Sequence, residues 1–183
     1  MGFDTISGLP AHPLVVHIPV VGIPLVALLM VIYVFVPSKR PGLFWPTSIG
    51  IVFVTLATIV AASTGESLEE SLPRDDRSSA LLHRHTELGD QTQTIVIIFA
   101  IAALGFLALD WWKRTYRDPS TAPKFLSGLT AKLTNPSVTR LVLGLGVVAV
   151  LLGGVATVWD VRTGHAGAKS AWNDVSSESA AGD

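Results

Sequence analysis

The chain has 183 residues, 49% of them hydrophobic, a mean hydropathy of +0.52 and a formal net charge of −1 at pH 7. This near-neutral charge excludes a bulk electrostatic attraction to nucleic acid, so no nucleic-acid partner is expected. The lack of cysteine excludes disulfides, thiolate metal sites, c-type haem attachment and cysteine-ligated iron–sulfur clusters.

Charged residues are nearly absent from four windows, each long enough to cross a membrane. About 20 apolar residues make one helical span, because a helix rises about 1.5 Å per residue and the hydrocarbon core is about 30 Å thick. The predicted spans are residues 14–36, 44–62, 94–112 and 141–159. The predicted fold class is therefore all-α, an integral membrane four-helix bundle over residues 1–172, with a disordered tail over residues 173–183.

The first span opens with two histidines, His12 and His17. Pro13 suits the first position of a helix, whereas Pro19 and Pro24 lie inside the span and tend to kink it. Two interpretations are open. The kink belongs to an ordinary span, or it opens a polar pocket near His17.

The third span is predicted to continue a helix that begins outside the membrane. Ser78 or Ser79 can cap that helix, and His85, Leu88 and Thr92 then share one face at helical spacing. We therefore expect His85 to point inward.

Four spans place both termini and all five histidines on the same side of the membrane. That side carries five Lys/Arg residues: Arg74, Arg77, Arg84, Arg162 and Lys169. The opposite side carries eight: Lys39, Arg40, Lys113, Arg114, Arg117, Lys124, Lys132 and Arg140. Because Lys/Arg-rich loops stay in the cytoplasm, we expect a multi-pass protein of the inner (plasma) membrane with both termini outside.

Two chemistries suit histidines that converge on one end of a bundle. The first is haem b held by histidines from different helices, because neutral imidazole is a good axial ligand. The natural crossings are His17 with His85, and His12 with His165. The fourth span is expected to leave room for a flat macrocycle because it is rich in glycine: Gly144, Gly146, Gly153 and Gly154.

The second chemistry is a non-haem site for zinc, copper or iron. Its predicted ligands are the same four histidines and one carboxylate: His12, His17, Glu66, His85 and His165. For exposed His83 a purely polar surface role is favoured.

The two halves of the chain show a weak internal echo. The first pair of spans begins with histidines and ends in Thr64-Gly65, and the second pair begins with histidines and ends in Thr163-Gly164. Two similar hairpins stacked about an axis along the membrane normal would make a four-helix bundle.

Three stretches carry a resemblance to a known family: His12-Pro-Leu-Val-Val-His17, His85-Thr-Glu-Leu-Gly89 and Thr163-Gly-His-Ala-Gly-Ala168. Over roughly residues 8–172 the chain resembles the bacterial membrane family known as domain of unknown function 2231. Some members of that family are joined to cytochrome-type or Rieske-type domains, which implies a setting near respiratory electron transfer. By matching position, the resemblance carries over His12, His17, His85 and His165 as recurring histidines, with Gly89 and Gly164 beside them.

The sequence thus favours a small b-type haem electron carrier, or an accessory subunit of a respiratory complex, with its site at the outer face. The alternatives are a non-haem metal-binding membrane protein and a purely structural membrane subunit. The lipid bilayer is the expected partner, and a separate respiratory-chain redox protein is expected to exchange electrons. The sequence leaves open whether the protein is an enzyme and whether it forms a homo-oligomer.

Overall fold

The structure is a computed structural model, and it describes residues 5–6, 8–73, 79–116, 118–123, 127–133 and 135–181. A short antiparallel pair, β1 (Thr5–Ile6) and β2 (Leu9–Pro10), precedes the helices. The helices are α1 (Ala11–Val15), α2 (His17–Phe35), α3 (Arg40–Ser71), α4 (Ala80–Thr115), α5 (Ser127–Leu133) and α6 (Pro136–Ala181). Short 3₁₀ turns occupy Pro37–Lys39 and Pro119–Thr121.

Four helical segments are long and apolar enough to cross a membrane: Ala11–Phe35, Pro37–Ser71, Ala80–Thr115 and Pro136–Trp172. Each coincides with one predicted span, which confirms the all-α membrane bundle. Large apolar side chains cover the outside of the bundle, and Ile101 and Leu141 are 69% and 72% exposed. Such an apolar surface promotes aggregation in water, whereas lipid tails solvate it in a bilayer. The chain is therefore a multi-pass membrane protein.

The first span is broken at its outer end. Helix α1 ends at Val15, Val16 lies between the helices, and α2 begins at His17. Pro13 is the third residue of α1 and not its first, which differs from the expected capping arrangement. His17 is exposed, so the break does not bury it in a pocket; the inward-facing histidine of this segment is half-buried His12.

Helix α4 agrees with the prediction of one long helix, with Ser79 at its N-cap position. Helix α6 continues to Ala181. The disorder predicted over residues 173–183 stays a prediction, and residues 182–183 lie outside the described residues. Helix propagation adds one hydrogen bond per residue once a nucleus exists, so a Ser/Ala-rich extension can follow a long helix.

Close helix packing uses small residues where aromatic rings cross the bundle. A Cβ atom on Gly146 would lie 2.8 Å from Cε2 of Phe106, so only glycine allows this ring to sit against α6. A Cβ atom on Gly153 would lie 3.1 Å from both Phe99 and Ala27. Protein side chains therefore occupy the space beside these two glycines. The room that was expected there for a macrocycle is absent.

The two hairpins, α1–α3 and α4–α6, have an approximate two-fold relation about the bundle axis. His12 and His85 are separated by a fixed number of positions, and the same separation connects every buried residue of α2 with a buried residue of α4. The pairs are Pro19 and Thr92, Ile23 and Val96, Val26 and Phe99, Ala27 and Ala100, Met30 and Ala103, Tyr33 and Phe106, and Val34 and Leu107. The equivalent rings of Tyr33 and Phe106 meet edge to face, with centroids 6.0 Å apart.

Helices α3 and α6 follow the same relation. The offset that takes Ala61 to Thr163 matches five buried pairs: Thr47 with Ala149, Ile51 with Gly153, Val54 with Ala156, Thr58 with Asp160, and Thr64 with Ala166. The predicted pair of stacked hairpins is therefore present. Its predicted register, which equated Gly65 with Gly164, is wrong, because the structural equivalent of Gly65 is Gly167.

Candidate functional site

His12 lies on α1 and turns its ring toward α3. Its Nδ1 atom lies 2.9 Å from the backbone carbonyl oxygen of Ala61. A carbonyl oxygen can only accept, so Nδ1 carries the proton and donates. The neutral ring therefore keeps a free lone pair on Nε2, the atom that ligates metals in this tautomer.

His85 repeats this arrangement in the second hairpin. It lies on α4, and its Nδ1 atom donates to the backbone carbonyl of Thr163 on α6 over 3.1 Å. Ala61 and Thr163 are equivalent in the two-fold relation, as are the two histidines. Each hairpin therefore supplies one imidazole whose orientation is fixed by a hydrogen bond from Nδ1 to a backbone carbonyl.

The two rings meet at the end of the bundle where the hairpins begin and end. Their centroids are 6.1 Å apart and their planes are inclined by 72°. Both residues are half-buried, so the pair lies between the packed core and the surface. Since α1 and α4 are equivalent in the two-fold relation, the pair straddles the axis of the bundle.

A glycine on the neighbouring helix leaves room for each histidine ring beside its carbonyl partner. A Cβ atom on Gly65 would lie 3.0 Å from Cε1 of His12, and one on Gly167 would lie 2.8 Å from Cε1 of His85. Any larger residue would push the ring away from its carbonyl partner. Neither glycine was among the residues predicted to form the site.

The structure does not bring the other predicted site residues to this pair. His17, Glu66 and His165 are all exposed. The expected crossings of His17 with His85 and of His12 with His165 are replaced by the contact between His12 and His85. His17 follows the helix break, and His165 is two positions past Thr163, which turns it to another side of α6.

No group of three or more His, Cys, Asp or Glu side chains that could hold a metal ion is gathered within the described part of the chain. The predicted set of four histidines and Glu66 is therefore not assembled as one metal centre. The two predicted histidines that the fold does bring together are His12 and His85.

A second polar cluster lies at the opposite end of the bundle and was missed in the sequence. Asp110 on α4 accepts hydrogen bonds from Arg40, Arg114 and Tyr33, each over 2.9 Å. The Asp110 side chain is only 10% exposed. A lone acid inside an apolar span was the available signal, since ionisable residues within spans face the bundle and carry a partner.

Asp160 is a further buried acid, one turn deeper along α6 than Thr163. Within the described residues its Oδ2 atom has no hydrogen-bond partner. The hydroxyl oxygens of Thr163 and Thr92 lie 2.9 Å apart on the same side of α6. Polar groups therefore continue inward from the histidine pair for about one helical turn.

A family model described as a predicted membrane protein (DUF2231) matches residues 8–178. Neither a curated protein nor a solved structure matches the chain.

Proposed function

The chain belongs to the DUF2231 family of predicted membrane proteins, and from that premise we propose that it is a b-type haem protein that holds the iron between His12 and His85 and passes electrons at that end of the bundle. The single observation that carries the proposal is the pair of equivalent imidazoles, each with its Nδ1–H bonded to a backbone carbonyl.

The number of ligands supports haem. A haem iron takes four nitrogens from its own macrocycle and needs only two axial ligands from the protein. The site offers two imidazoles and no third metal-binding side chain within the described residues. Zinc sites use three or four protein ligands, so a single ion held by this pair would depend on water molecules to complete its coordination.

The separation of the rings also supports ligation of one ion. Two rings whose Nε2 atoms face one ion from opposite sides, each with a metal–nitrogen bond of about 2 Å, have centroids roughly 6 Å apart. The centroids of His12 and His85 are 6.1 Å apart. Bound haem b would supply one-electron transfer. The carbonyls of Ala61 and Thr163 would fix the ring orientations and raise the basicity of the ligating nitrogens.

The location of the site fits exchange with a second protein. The pair lies near the surface of the bundle, and the Lys/Arg balance favours an outer location in the plasma membrane. In this proposal a respiratory-chain redox protein docks at the histidine end.

A specific observation favours a second candidate, a site for a single zinc, copper or iron ion. Side chains of Phe106, Phe99 and Ala27 occupy the space beside Gly146 and Gly153. These two glycines of the fourth span therefore offer no space for a macrocycle. A single ion needs far less volume, and imidazole suits all three metals. Water molecules would complete its coordination.

An absorption spectrum of the detergent-purified protein, before and after dithionite, tests the proposal. We expect the sharp reduced band of bis-histidine haem b in the wild type and its loss in His12→Ala and in His85→Ala. His83→Ala is the matched control, because His83 is exposed on the same helix two residues from His85. The control should keep the band.

The outcomes separate the candidates. A band that survives both His12→Ala and His85→Ala would overturn the assigned ligands. A flat spectrum with about one bound metal per chain, lost in the same two variants, would favour the single-ion site. A flat spectrum and no metal would leave the structural-subunit hypothesis.

A further inference from the structure

A groove of about 390 Å³ opens between α4 and α6 at the histidine end of the bundle. It is separate from the contact between His12 and His85. We propose that this groove binds an anionic phospholipid, with the phosphate at its basic rim and the start of an acyl chain on its apolar floor.

The rim of the groove is basic. It contains Arg84, Arg162, His165 and Lys169, all of them exposed. Among the described residues, none of the three permanent cations has a carboxylate within 4 Å; the ion pairs found there all involve Asp110. Within the described part of the chain these three cations share one small surface and have no ion-pair partner, which matches an anionic headgroup.

The floor of the groove is apolar. It is lined by Leu81, Leu88 and Val161. A free inorganic anion gains nothing from such a surface, because its charge must be desolvated there. An amphiphile satisfies both parts of the groove, since its headgroup meets the rim and its chain covers the floor. The lining therefore favours a lipid.

The groove begins at the end of the predicted spans and extends beyond them along α4 and α6. Trp159, an interfacial type of residue, is beside it, and the Arg162 guanidinium carbon lies 5.0 Å from the centroid of its indole ring. Arg84 belongs to the part of α4 that precedes the predicted span 94–112. Basic pockets between transmembrane helices on the cytoplasmic side of membranes bind anionic phospholipid headgroups, and the same pairing of charges can act in either leaflet.

The two-fold relation shows that the fold does not require these cations. The equivalent positions in the first hairpin carry no charge: Ala11, Val60, Ser63 and Ser67. The same packing of α1 against α3 is therefore achieved without a basic rim. The charges of the second hairpin are an addition to the common architecture, as expected of a binding feature.

The lipids that stay bound to the purified protein measure its preference for an anionic headgroup. The full chain is reconstituted in a bilayer of equal parts phosphatidylcholine and phosphatidylglycerol, extracted in mild detergent, and its bound lipids are identified by native mass spectrometry. We expect the wild type to retain phosphatidylglycerol preferentially. The variant Arg84→Gln/Arg162→Gln/Lys169→Gln should lower the bound ratio of phosphatidylglycerol to phosphatidylcholine by at least about fivefold.

The matched control is Lys39→Gln/Lys132→Gln/Arg140→Gln, which removes three exposed cations at the opposite end of the bundle. It should keep most of the preference. An equal loss in both variants would show a general attraction to basic residues and would overturn the proposal. Arg84→Lys/Arg162→Lys keeps the charges, and its retained preference would separate loss of the site from loss of folding.

A last arm distinguishes the source of the phosphate group. Excess inorganic phosphate should leave the bound phosphatidylglycerol in place, because the apolar floor contributes only to lipid binding. Displacement of the lipid by inorganic phosphate would overturn the proposal in favour of a soluble anion. Equal retention of the two lipids by the wild type would overturn it outright.

Discussion

At the scale of single residues, the chemistry of the site is set by which ring nitrogen carries the proton. His12 and His85 both donate from Nδ1 to a helix carbonyl, and this fixes Nε2 as the free nitrogen. The carbonyls can be reached only because Gly65 and Gly167 leave space beside the rings. Two residues without side chains therefore determine the orientation of two residues with functional ones.

Substitution of these glycines tests that role. Gly167→Ala should lower the free energy of unfolding by about 1–3 kcal/mol, because the added Cβ overlaps the His85 ring, and Gly65→Ala should have a smaller effect, because its Cβ would lie 3.0 Å from the His12 ring. Gly164→Ala is the matched control: a Cβ there meets nothing within 4 Å, and alanine favours a helix by up to about 1 kcal/mol. Thermal unfolding in detergent measures all three. A Gly167→Ala variant as stable as Gly164→Ala would contradict the assigned contact.

At the scale of elements, Asp110 joins three helices at the end opposite the histidines. Arg40, at the start of α3, donates to Asp110 on α4 and also to the backbone carbonyls of Tyr33 and Val34. Those carbonyls belong to the last turn of α2, where no helical N–H group is available to them. The Arg40 guanidinium therefore caps the C-terminal end of α2 and links both α2 and α3 to α4.

Asp110→Asn should destabilise the bundle by about 3–5 kcal/mol, because it keeps the shape of the side chain and leaves two arginines without their counter-ion. Arg40→Gln should cost more than Arg114→Gln, since the side chains of Arg40 and Arg114 are 12% and 31% exposed. Arg140→Gln, at an exposed position, is the control. Unfolding in detergent micelles measures the series, and an Asp110→Asn variant with wild-type stability would refute the structural role.

At the scale of the whole molecule, the two-fold relation explains why the site lies where it does. Each hairpin begins with a histidine and returns beside it with a glycine, so two hairpins of this kind bring two imidazoles to their common axis. The relation also places the beginnings and ends of both hairpins on one side of the membrane. The side of the membrane on which the site lies is therefore set by the orientation of the whole molecule.

The chain contains no cysteine, so single introduced cysteines report that orientation. Ser71→Cys, at the end of α3, should react with a membrane-impermeant maleimide in intact cells or spheroplasts. Ser38→Cys, in the turn before α3, should react only after the membrane is permeabilised. Both positions are exposed, and the cysteine-free parent provides the background. The opposite labelling pattern would place the histidine end in the cytoplasm.

The predicted spans agree with the structure because hydropathy is a local property. Whether a stretch such as residues 94–112 crosses a membrane depends on its own length and apolar content, which can be read along the chain. The shared side of the histidines follows from the number of spans alone. His12 and His85 were both among the predicted site residues, and the inward direction of His85 followed from its helical face.

Only the tertiary structure decided which of the candidate residues meet. The choice of His12 over His17 depends on the break at Val16, and the contact of His12 with His85 depends on how far each helix is rotated toward the axis. Rotation and register are set by packing, such as Phe106 against Gly146, between residues far apart in sequence. The burial of Asp110 likewise requires three helix ends to converge. The sequence by itself determined which segments enter the membrane, whereas packing between helices determined which side chains face one another.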